Sequence, residues 1–138
     1  MRIIQARSLV KGRAEGEALV STEPISFFGG VDPETGVVIE KGHPLEKVSI
    51  AGKILVFPHG KGSTVGSYVI YRLSKVGRAP KAIINLESEP IIIIGCILSG
   101  IVLVDKPEEN VIEVIRTGDK VIVNARNKIA LIKVIRDR

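Results

Sequence analysis

The chain has 138 residues, 45% of them hydrophobic and 25% charged, and a formal net charge of +5 at pH 7. This composition excludes global disorder, and the length leaves room for a single domain, which we expect to span residues 1–138. The longest apolar run, Pro90–Val104, is too short for a membrane span, and the N-terminal residues lack the apolar core of a secretory signal. We therefore expect a cytoplasmic protein with no membrane partner.

A single cysteine and two histidines leave little scope for metal or redox chemistry. One cysteine forms no internal disulfide, and it cannot supply the ligands of a zinc site or an iron–sulfur cluster. Cys96 lies among isoleucines, which predicts an inert core thiol. We expect this chain to bind no metal and no cofactor of its own.

The basic charge raises the possibility of a nucleic-acid partner. The lysines and arginines are dispersed, however, and only five aromatic residues are present to stack on bases. We expect no nucleic-acid partner, although a basic β-barrel module that binds RNA remains an alternative. A basic surface suits an acidic protein partner or an anionic substrate equally well.

Strand and turn patterns dominate the first 57 residues. Arg2–Val10 and Glu15–Ser21 predict strands, and Val37–Glu40 and Gly52–Phe57 predict two more. Between them lies a glycine-rich loop, Phe27–Gly36, with a turn signal in its second half. The first part of the chain is therefore expected to be mostly β-structure.

The clearest helix pattern covers Ser63–Val76. Its apolar side chains recur with helical spacing at Val65, Val69, Leu73 and Val76. Ser63 stands where an N-cap belongs, and Gly77 stands at the C-terminal cap.

Two interpretations are open for Ile91–Leu98, which lies between predicted strands at Lys81–Asn85 and Ile101–Val104. The isoleucines favour a strand, whereas Ser88-Glu89-Pro90 before it and Gly100 after it favour a helix. We favour a short helix that is buried on all sides.

The last part predicts a short helix and a hairpin. The helix begins at Pro107-Glu108-Glu109 and ends near Gly118, and the hairpin joins Lys120–Asn124 to Ile129–Ile135. The whole pattern predicts an α+β fold of the β/β/α type, in which strand–helix–strand units rest on a small β-barrel or sandwich.

The segment from Phe57 to Ser67 combines a strand end, a glycine-rich loop and a helix start. The free N–H groups of a helix start suit a phosphate, a carboxylate or a developing alkoxide. We predict that Gly60, Lys61, Gly62 and Thr64 contact such a substrate. Ser63 is open to two interpretations, since it is either a helix cap alone or a reactive hydroxyl.

Three blocks of the chain carry a specific resemblance. They are Gly12–Ser21 continued by Ile25–Gly36, then Gly60–Tyr68, and finally Gly77–Asn85. Through these blocks the chain resembles the aconitase X swivel-domain family. The resemblance implies a swivelling β/β/α domain, in agreement with the fold expected from the residue pattern.

The resemblance also implies a reaction and a partner. The implied enzyme is a hydro-lyase of the archaeal mevalonate pathway that dehydrates (R)-5-phosphomevalonate to trans-anhydromevalonate 5-phosphate. This chain would be its small subunit, active only in a heterodimer with a large catalytic subunit that carries an iron–sulfur cluster. Ser63 matches the family's proposed proton acceptor. Ordinary aconitases place a substrate-binding arginine shortly after this serine, and Thr64 and Val65 stand there instead.

The glycine-rich loop has two interpretations under this resemblance. Either it is a tight surface turn, or it packs against the large subunit near the cluster through Ser26, Phe27, Phe28, Gly29, Gly30 and Asp32. Other functions also stay open. The chain could serve another aconitase X hydro-lyase, such as one acting on cis-3-hydroxy-L-proline, or it could be a structural swivel subunit in which Ser63 is only a cap.

Overall fold

Strands close into a barrel in this computed structural model, which describes residues 1–136. Around the barrel the described strands follow the order β1-β5-β4-β3-β2-β6-β7. Their bounds are β1 Arg2–Val10, β2 Arg13–Val20, β3 Ile54–Phe57, β4 Ala82–Asn85, β5 Val102–Asp105, β6 Lys120–Asn124 and β7 Ile129–Ile135. The helices are α2 Gly66–Lys75, α3 Pro90–Ser99 and α4 Val111–Val114, and α1 Phe27–Gly30 is a short turn whose backbone is non-helical at Phe28 and Gly29. The α+β class is confirmed, with a barrel as its base.

The described barrel combines three parallel and four antiparallel strand pairings. β2, β3, β4 and β5 run side by side in the same direction, whereas β1, β6 and β7 pair antiparallel with their neighbours. Parallel neighbours need a crossover connection, and α2 and α3 supply it between β3, β4 and β5. The carboxyl ends of four strands therefore meet at one edge of the barrel.

Two apolar cores lie on the two sides of the parallel strands. Side chains such as Ile54, Val56 and Ile84 fill the barrel interior, together with residues from β1, β6, β7 and α4. The alternate residues Leu55 and Phe57 point outward into a second core against α2, α3 and the long β2–β3 connection. Both faces of β3, β4 and β5 are buried, which explains their uninterrupted apolar sequences.

The two crossover helices pack closely and in the same direction. Ser67 Oγ donates to Ile91 O at 2.7 Å near the two N-termini, and Ser74 Oγ lies 3.5 Å from Ser99 O near the two C-termini. Between these points Gly95 lets α3 approach α2, because a Cβ there would lie 2.7 Å from Ile70 Cδ1. The expected helix end at Gly77 is confirmed, since its φ of 73° belongs to the left-handed region.

The interpretation of Ile91–Leu98 as a helix is confirmed, but its expected burial on all sides is wrong. Glu89 caps α3 by accepting hydrogen bonds from Ile91 N and Ile92 N, and Pro90 occupies the first turn. Only one side of the helix faces the core. The side chains of Ile94, Ile97 and Leu98 are half-exposed or more.

Two other expectations are corrected. Val37–Glu40 forms isolated bridges, Val37 with Ser49 and Val38 with Val31, because no long neighbouring strand lies within reach in the β2–β3 connection. The helix expected from Pro107 begins only at Val111, with Asn110 as its cap. The acidic residues before it bind to strand β1 instead: Glu108 accepts a hydrogen bond from Gln5 N, and Glu109 forms an ion pair with Arg2.

No helix within residues 1–136 is long and apolar enough to cross a membrane.

The contact between Gly95 and Ile70 gives a stability test. Gly95→Ala should destabilise the protein by about 1–3 kcal/mol through overpacking, although alanine is the better helix former by about 1 kcal/mol. Ile70→Val removes the Cδ1 atom and alone should cost about 0.5–1.5 kcal/mol. The double variant should lose less free energy of unfolding than the sum of the two single losses, as measured by urea unfolding. Strictly additive losses would contradict the tight contact.

A partly buried ion pair near the end of β7 gives a pH test. Asp119 accepts hydrogen bonds from Arg136 Nε at 3.0 Å, Arg136 Nη2 at 2.7 Å and Arg116 N at 2.9 Å. The Arg136 hydrogen bonds, foremost, hold the pKa of Asp119 below its ordinary value of 3.8. Its stabilisation is therefore complete above the ordinary pKa and is lost as the pH falls through the lowered one.

Asp119→Asn should accordingly reduce the free energy of unfolding at neutral pH, and the difference from the wild type should shrink towards pH 3. Urea unfolding of both proteins between about pH 3 and pH 7 measures this difference. A difference that stays constant over that range would show that the Asp119 charge adds nothing to stability.

Candidate active site

The candidate site lies at the edge where the four parallel strands end. β3 is central among them, with β2 on one side and β4 on the other. The loop after β3, Pro58–Val65, therefore lies between the segments that follow β2 and β4. The same placement brings the loop after β3 into contact with the Ser26–Gly30 segment, which belongs to the connection after β2.

Backbone hydrogen bonds hold this loop from both sides. Ile25 forms a parallel bridge with Gly60: Ile25 N donates to His59 O at 3.3 Å, and Lys61 N donates to Ile25 O at 3.1 Å. On the other side Leu86 N donates to Pro58 O at 3.0 Å. The start of the loop is thus fixed before the chain reaches Ser63.

Both glycines of the loop are required by close contacts. A Cβ on Gly60 would overlap Glu89 Oε1 and would lie 2.7 Å from Ile92 Cγ1. Gly62 has a φ of 88°, and a Cβ there would lie 2.5 Å from Ser26 Oγ. These glycines bring the loop against α3 and the Ser26 segment, a structural role that leaves their predicted contact with substrate untested.

The expectation that Ser63 is the N-cap of the helix is wrong. The α-helix begins at Gly66, with Val65 as its N-cap, because a tight turn precedes it. In that turn Gly66 N donates to Ser63 O at 2.9 Å, and Val65 N donates to Ser63 Oγ at 3.2 Å. Ser63 therefore stands ahead of the helix in an exposed turn, where its hydroxyl receives a backbone N–H.

Neighbouring N–H groups of the loop are free to bind a ligand. Within residues 1–136, the backbone N–H groups of Gly62, Ser63 and Thr64 donate to no protein acceptor. Consecutive free N–H groups after a left-handed residue form a concave donor set that attracts anions. The loop thus presents an exposed hydroxyl beside an electropositive backbone.

The charged and titratable neighbours of Ser63 are engaged elsewhere. Lys61 Nζ lies 3.6 Å from Glu40 Oε2, and His59 Nδ1 lies 2.7 Å from Gly60 O. No side chain of the described residues accepts a hydrogen bond from Ser63 Oγ. A group that removes the hydroxyl proton would therefore have to come from outside the described part of this chain.

A chain of polar side chains behind the loop, buried from Asp105 to Asn85 and exposed only at Arg7, was missed by sequence reasoning. Arg7 binds Asp105 with two hydrogen bonds of 2.8 and 2.9 Å, and Asp105 accepts from Ser88 N at 2.8 Å. Ser88 Oγ donates to Asn85 Oδ1 at 2.8 Å, and Asn85 Nδ2 donates to Phe57 O at 3.0 Å. The hydrogen bonds to Asp105 are the main reason that the pKa of Arg7 is raised.

This polar chain links the ends of β3, β4 and β5 directly below the Ser63 loop. Asn85 and Asp105 are the last residues of β4 and β5, and both are fully buried. The signal that could have revealed them is a polar residue closing a run of buried apolar residues. Buried polar groups need partners, and neighbouring strand ends supply them.

The Ser26–Gly30 segment divides between core and surface. Phe27 is 1% exposed and packs against Phe57 with ring centroids 6.2 Å apart, whereas Phe28 is 53% exposed. Gly30 is buried, Gly29 has a φ of 86°, and Asp32 Oδ1 accepts from Glu34 N at 2.8 Å within its own turn. Of the two phenylalanines, only Phe28 offers its ring to another molecule.

The described residues do not fit a metal or an iron–sulfur cluster. Within residues 1–136 no three His, Cys, Asp or Glu side chains come together as a possible metal site. Cys96 is buried, and desolvation raises the pKa of its thiol to about 12. It therefore stays protonated and is unsuited to ligation, which requires the thiolate.

Comparisons with known proteins place this geometry in a family. A family model described as the aconitase X swivel domain matches residues 3–133. The chain is 56% identical over 131 residues to the phosphomevalonate dehydratase small subunit of Methanosarcina acetivorans, covering 94% of this chain and 91% of the relative. It is 58% identical over 120 residues to the Methanosarcina mazei protein of the same name, covering 87% and 83%.

A solved structure shows the same fold. The crystal structure of Thermococcus kodakaraensis aconitase X in its holo-form contains a chain with a TM-score of 0.92 and 48% sequence identity. The match covers 99% of this chain and 100% of that chain.

The close packing at Gly60 gives a test of the loop. Gly60→Ala should lower the free energy of unfolding by about 1–3 kcal/mol, because the added methyl displaces Glu89 or Ile92. Gly16→Ala is the matched control, since a Cβ at Gly16 meets its neighbours at ordinary distances of 3.4 Å or more. Thermal or urea unfolding should show a loss for Gly60→Ala alone, and equal stability of the two variants would contradict the contact.

Proposed function

Because this chain belongs to the aconitase X swivel-domain family, we propose that it is the small subunit of a heterodimeric phosphomevalonate dehydratase. The proposed reaction removes water from (R)-5-phosphomevalonate and yields trans-anhydromevalonate 5-phosphate. Relatives named as small subunits of this enzyme, at more than half identity over most of the chain, support the assignment. Their name implies a larger partner subunit.

The observation that carries the proposal is the exposed Ser63 hydroxyl on the strand-end loop. Elimination of water requires removal of a proton from the carbon next to the one that loses its hydroxyl. We assign this proton transfer to Ser63 Oγ. Ser63 is exposed in the isolated chain, so a substrate can reach it from the side on which the partner subunit would close.

A serine accepts such a proton only as an alkoxide, and the surroundings of Ser63 favour that form. Val65 N donates to Ser63 Oγ at 3.2 Å, and the α2 N-terminus lies just beyond. A hydrogen bond to the charged form lowers its free energy, as does the positive end of a helix. These groups stabilise the alkoxide without forming it, because they accept no proton.

The proton of the Ser63 hydroxyl must therefore pass to a group of the large subunit. In the described residues no basic side chain is placed to receive it, and Lys61 is directed to Glu40. The active site is complete only in the assembled pair. We expect the isolated chain to fold and to be inactive.

The loop is also suited to hold an anionic substrate. The free N–H groups of Gly62, Ser63 and Thr64 are donors for a carboxylate or a phosphate. Lys61 joins them only if its ammonium leaves Glu40, from whose Oε2 it lies 3.6 Å. An arginine that would bind a further carboxylate is missing at Thr64 and Val65. This difference favours a phosphorylated hydroxy acid over a tricarboxylate.

An iron–sulfur cluster, if the enzyme uses one, belongs to the large subunit. The described residues of this chain offer neither a ligand group nor an available thiolate for it. The part of the chemistry assigned to this chain is substrate binding by the Gly60–Thr64 loop and proton transfer at Ser63.

Three substitutions of Ser63 test the assignment. Ser63→Ala, Ser63→Gly and Ser63→Asn should each lower turnover of the reconstituted pair by about 10²–10⁴-fold, because none can form an alkoxide. Ser63 is exposed and receives one hydrogen bond, so the stability loss should be about 1 kcal/mol or less. Asparagine retains an acceptor for Val65 N and serves as the matched control for the turn.

Turnover is measured as dehydration of (R)-5-phosphomevalonate by the small chain, the large subunit and their mixture. If Ser63→Asn retained more than about a tenth of wild-type turnover, well above the loss expected for a missing base, Ser63 would be a turn residue only. If the wild-type pair consumed cis-3-hydroxy-L-proline and left phosphomevalonate unchanged, the chain would serve a different aconitase X hydro-lyase.

A further inference from the structure

An exposed apolar surface borders the Ser63 loop. We call it the docking face and define it by six residues: Phe28, Val65, Tyr68, Ile94, Ile97 and Leu98. Their side chains are between 43% and 67% exposed. Phe28 comes from the Ser26–Gly30 segment, and Val65 and Tyr68 lie at the N-terminal end of α2, near the carboxyl ends of the parallel strands. Ile94, Ile97 and Leu98 continue the face along the outer side of α3 towards its C-terminus.

Helix α3 is the unusual part of this face. Its sequence, Pro90–Ser99, contains no charged residue, and yet one side of the helix faces outward. A surface helix ordinarily carries polar or charged side chains on its outer side. Contiguous apolar surface of this kind on a folded protein marks a place where another molecule binds.

A groove between α2 and α3 gives the face a specific shape. It has a volume of about 290 Å³ and is lined by Thr64, Ser67, Tyr68, Pro90, Ile91 and Ile94. The groove begins at Thr64, the residue after Ser63, so the apolar surface and the candidate site are continuous. Its shape suits a large apolar side chain, the kind of anchor on which protein interfaces depend.

The outer surface of β1 and β7 is the rival apolar face. Ile3, Ile129 and Leu131 are exposed there, but their cross-strand partners are Lys133, Arg7 and Gln5. In the barrel order, β7 is the third strand from β3 in one direction and the fourth in the other. Polar and charged side chains therefore separate the apolar ones on that surface, and the surface is remote from the Ser63 loop.

We propose that the docking face seats the large subunit, and that the groove between α2 and α3 receives an apolar side chain of that subunit. This inference rests on the proposed function. The large subunit must reach Ser63 to supply the missing proton-accepting group, and the groove that begins at Thr64 is the apolar surface next to Ser63. A second copy of this chain fits less well, because it would bring only another Ser63 loop without that group.

Substitutions on the two apolar faces test the proposal. Ile97 is 61% exposed and Ile129 is 59% exposed, so Ile97→Gln and Ile129→Gln make the same change on the two faces at matched exposure. Ile94→Gln changes the groove wall. The double variant Ile94→Gln/Ile97→Gln should raise the dissociation constant for the cognate large subunit at least about tenfold, whereas Ile129→Gln should leave it unchanged.

Binding is measured by titration calorimetry, and melting temperatures confirm that the variants are folded. Turnover separates the inference from the proposed function. The double variant retains Ser63, so its turnover should recover at high concentrations of the large subunit. Ser63→Asn should bind normally and stay nearly inactive at every concentration. This pattern would support both the docking face and the role of Ser63.

Three outcomes would overturn the docking face without overturning the heterodimer. One is unchanged affinity of the double variant, and another is an equal loss for Ile129→Gln. The third is a homodimer of the isolated chain, measured by light scattering, that the double variant dissociates, since the face would then join two copies. If the wild-type chain bound no large subunit at all, the proposed heterodimer would fail, and the docking face with it.

Discussion

The burial of both faces of β3, β4 and β5 is the constraint on which the rest of this structure depends. Their inward side chains fill the barrel, and their outward side chains require a second apolar layer. Since the strands are parallel, each must be joined to the next by a crossover, and the helices of these crossovers form that layer. α2 and α3 therefore lie side by side on one face of the barrel, with their N-termini at the edge where the strands end.

At that edge a set of polar hydrogen bonds lies beneath the Ser63 loop, and an open surface lies above it. Beneath it, the polar chain from Arg7 through Asp105 and Ser88 to Asn85 ties the ends of β4 and β5 to the last carbonyl of β3. Above it, the Ser63 loop presents a hydroxyl and free N–H groups towards the outside. In α/β proteins ligands commonly bind outside the carboxyl ends of the strands, which is where this loop lies. Here the open side is what a partner subunit would complete.

Much of the site loop could be predicted from the sequence, because its signals are local. Glycines at 60 and 62 between an apolar strand and a helix pattern predict a tight loop at a helix start. The helix-cap interpretation of Ser63 was wrong since the two residues after it form a turn that leads into the helix, which begins at Gly66. Asn85, Ser88 and Asp105 were missed because each looks ordinary alone. Only the pairing of their strands brings them together.

The sequence by itself determined the element types wherever a strong local pattern existed, as in the strand runs and the helix ending at Gly77. For α3 its Glu89-Pro90 start favoured a helix, whereas its isoleucines left a strand open. Local propensity and capping decide such features. The tertiary structure alone decided that the strands close into a barrel, that Val37–Glu40 lacks a full strand partner, and that Ile94, Ile97 and Leu98 face outward. Burial depends on which elements pack on which side, and an all-apolar helix carries no periodic signal that tells its inner side from its outer side.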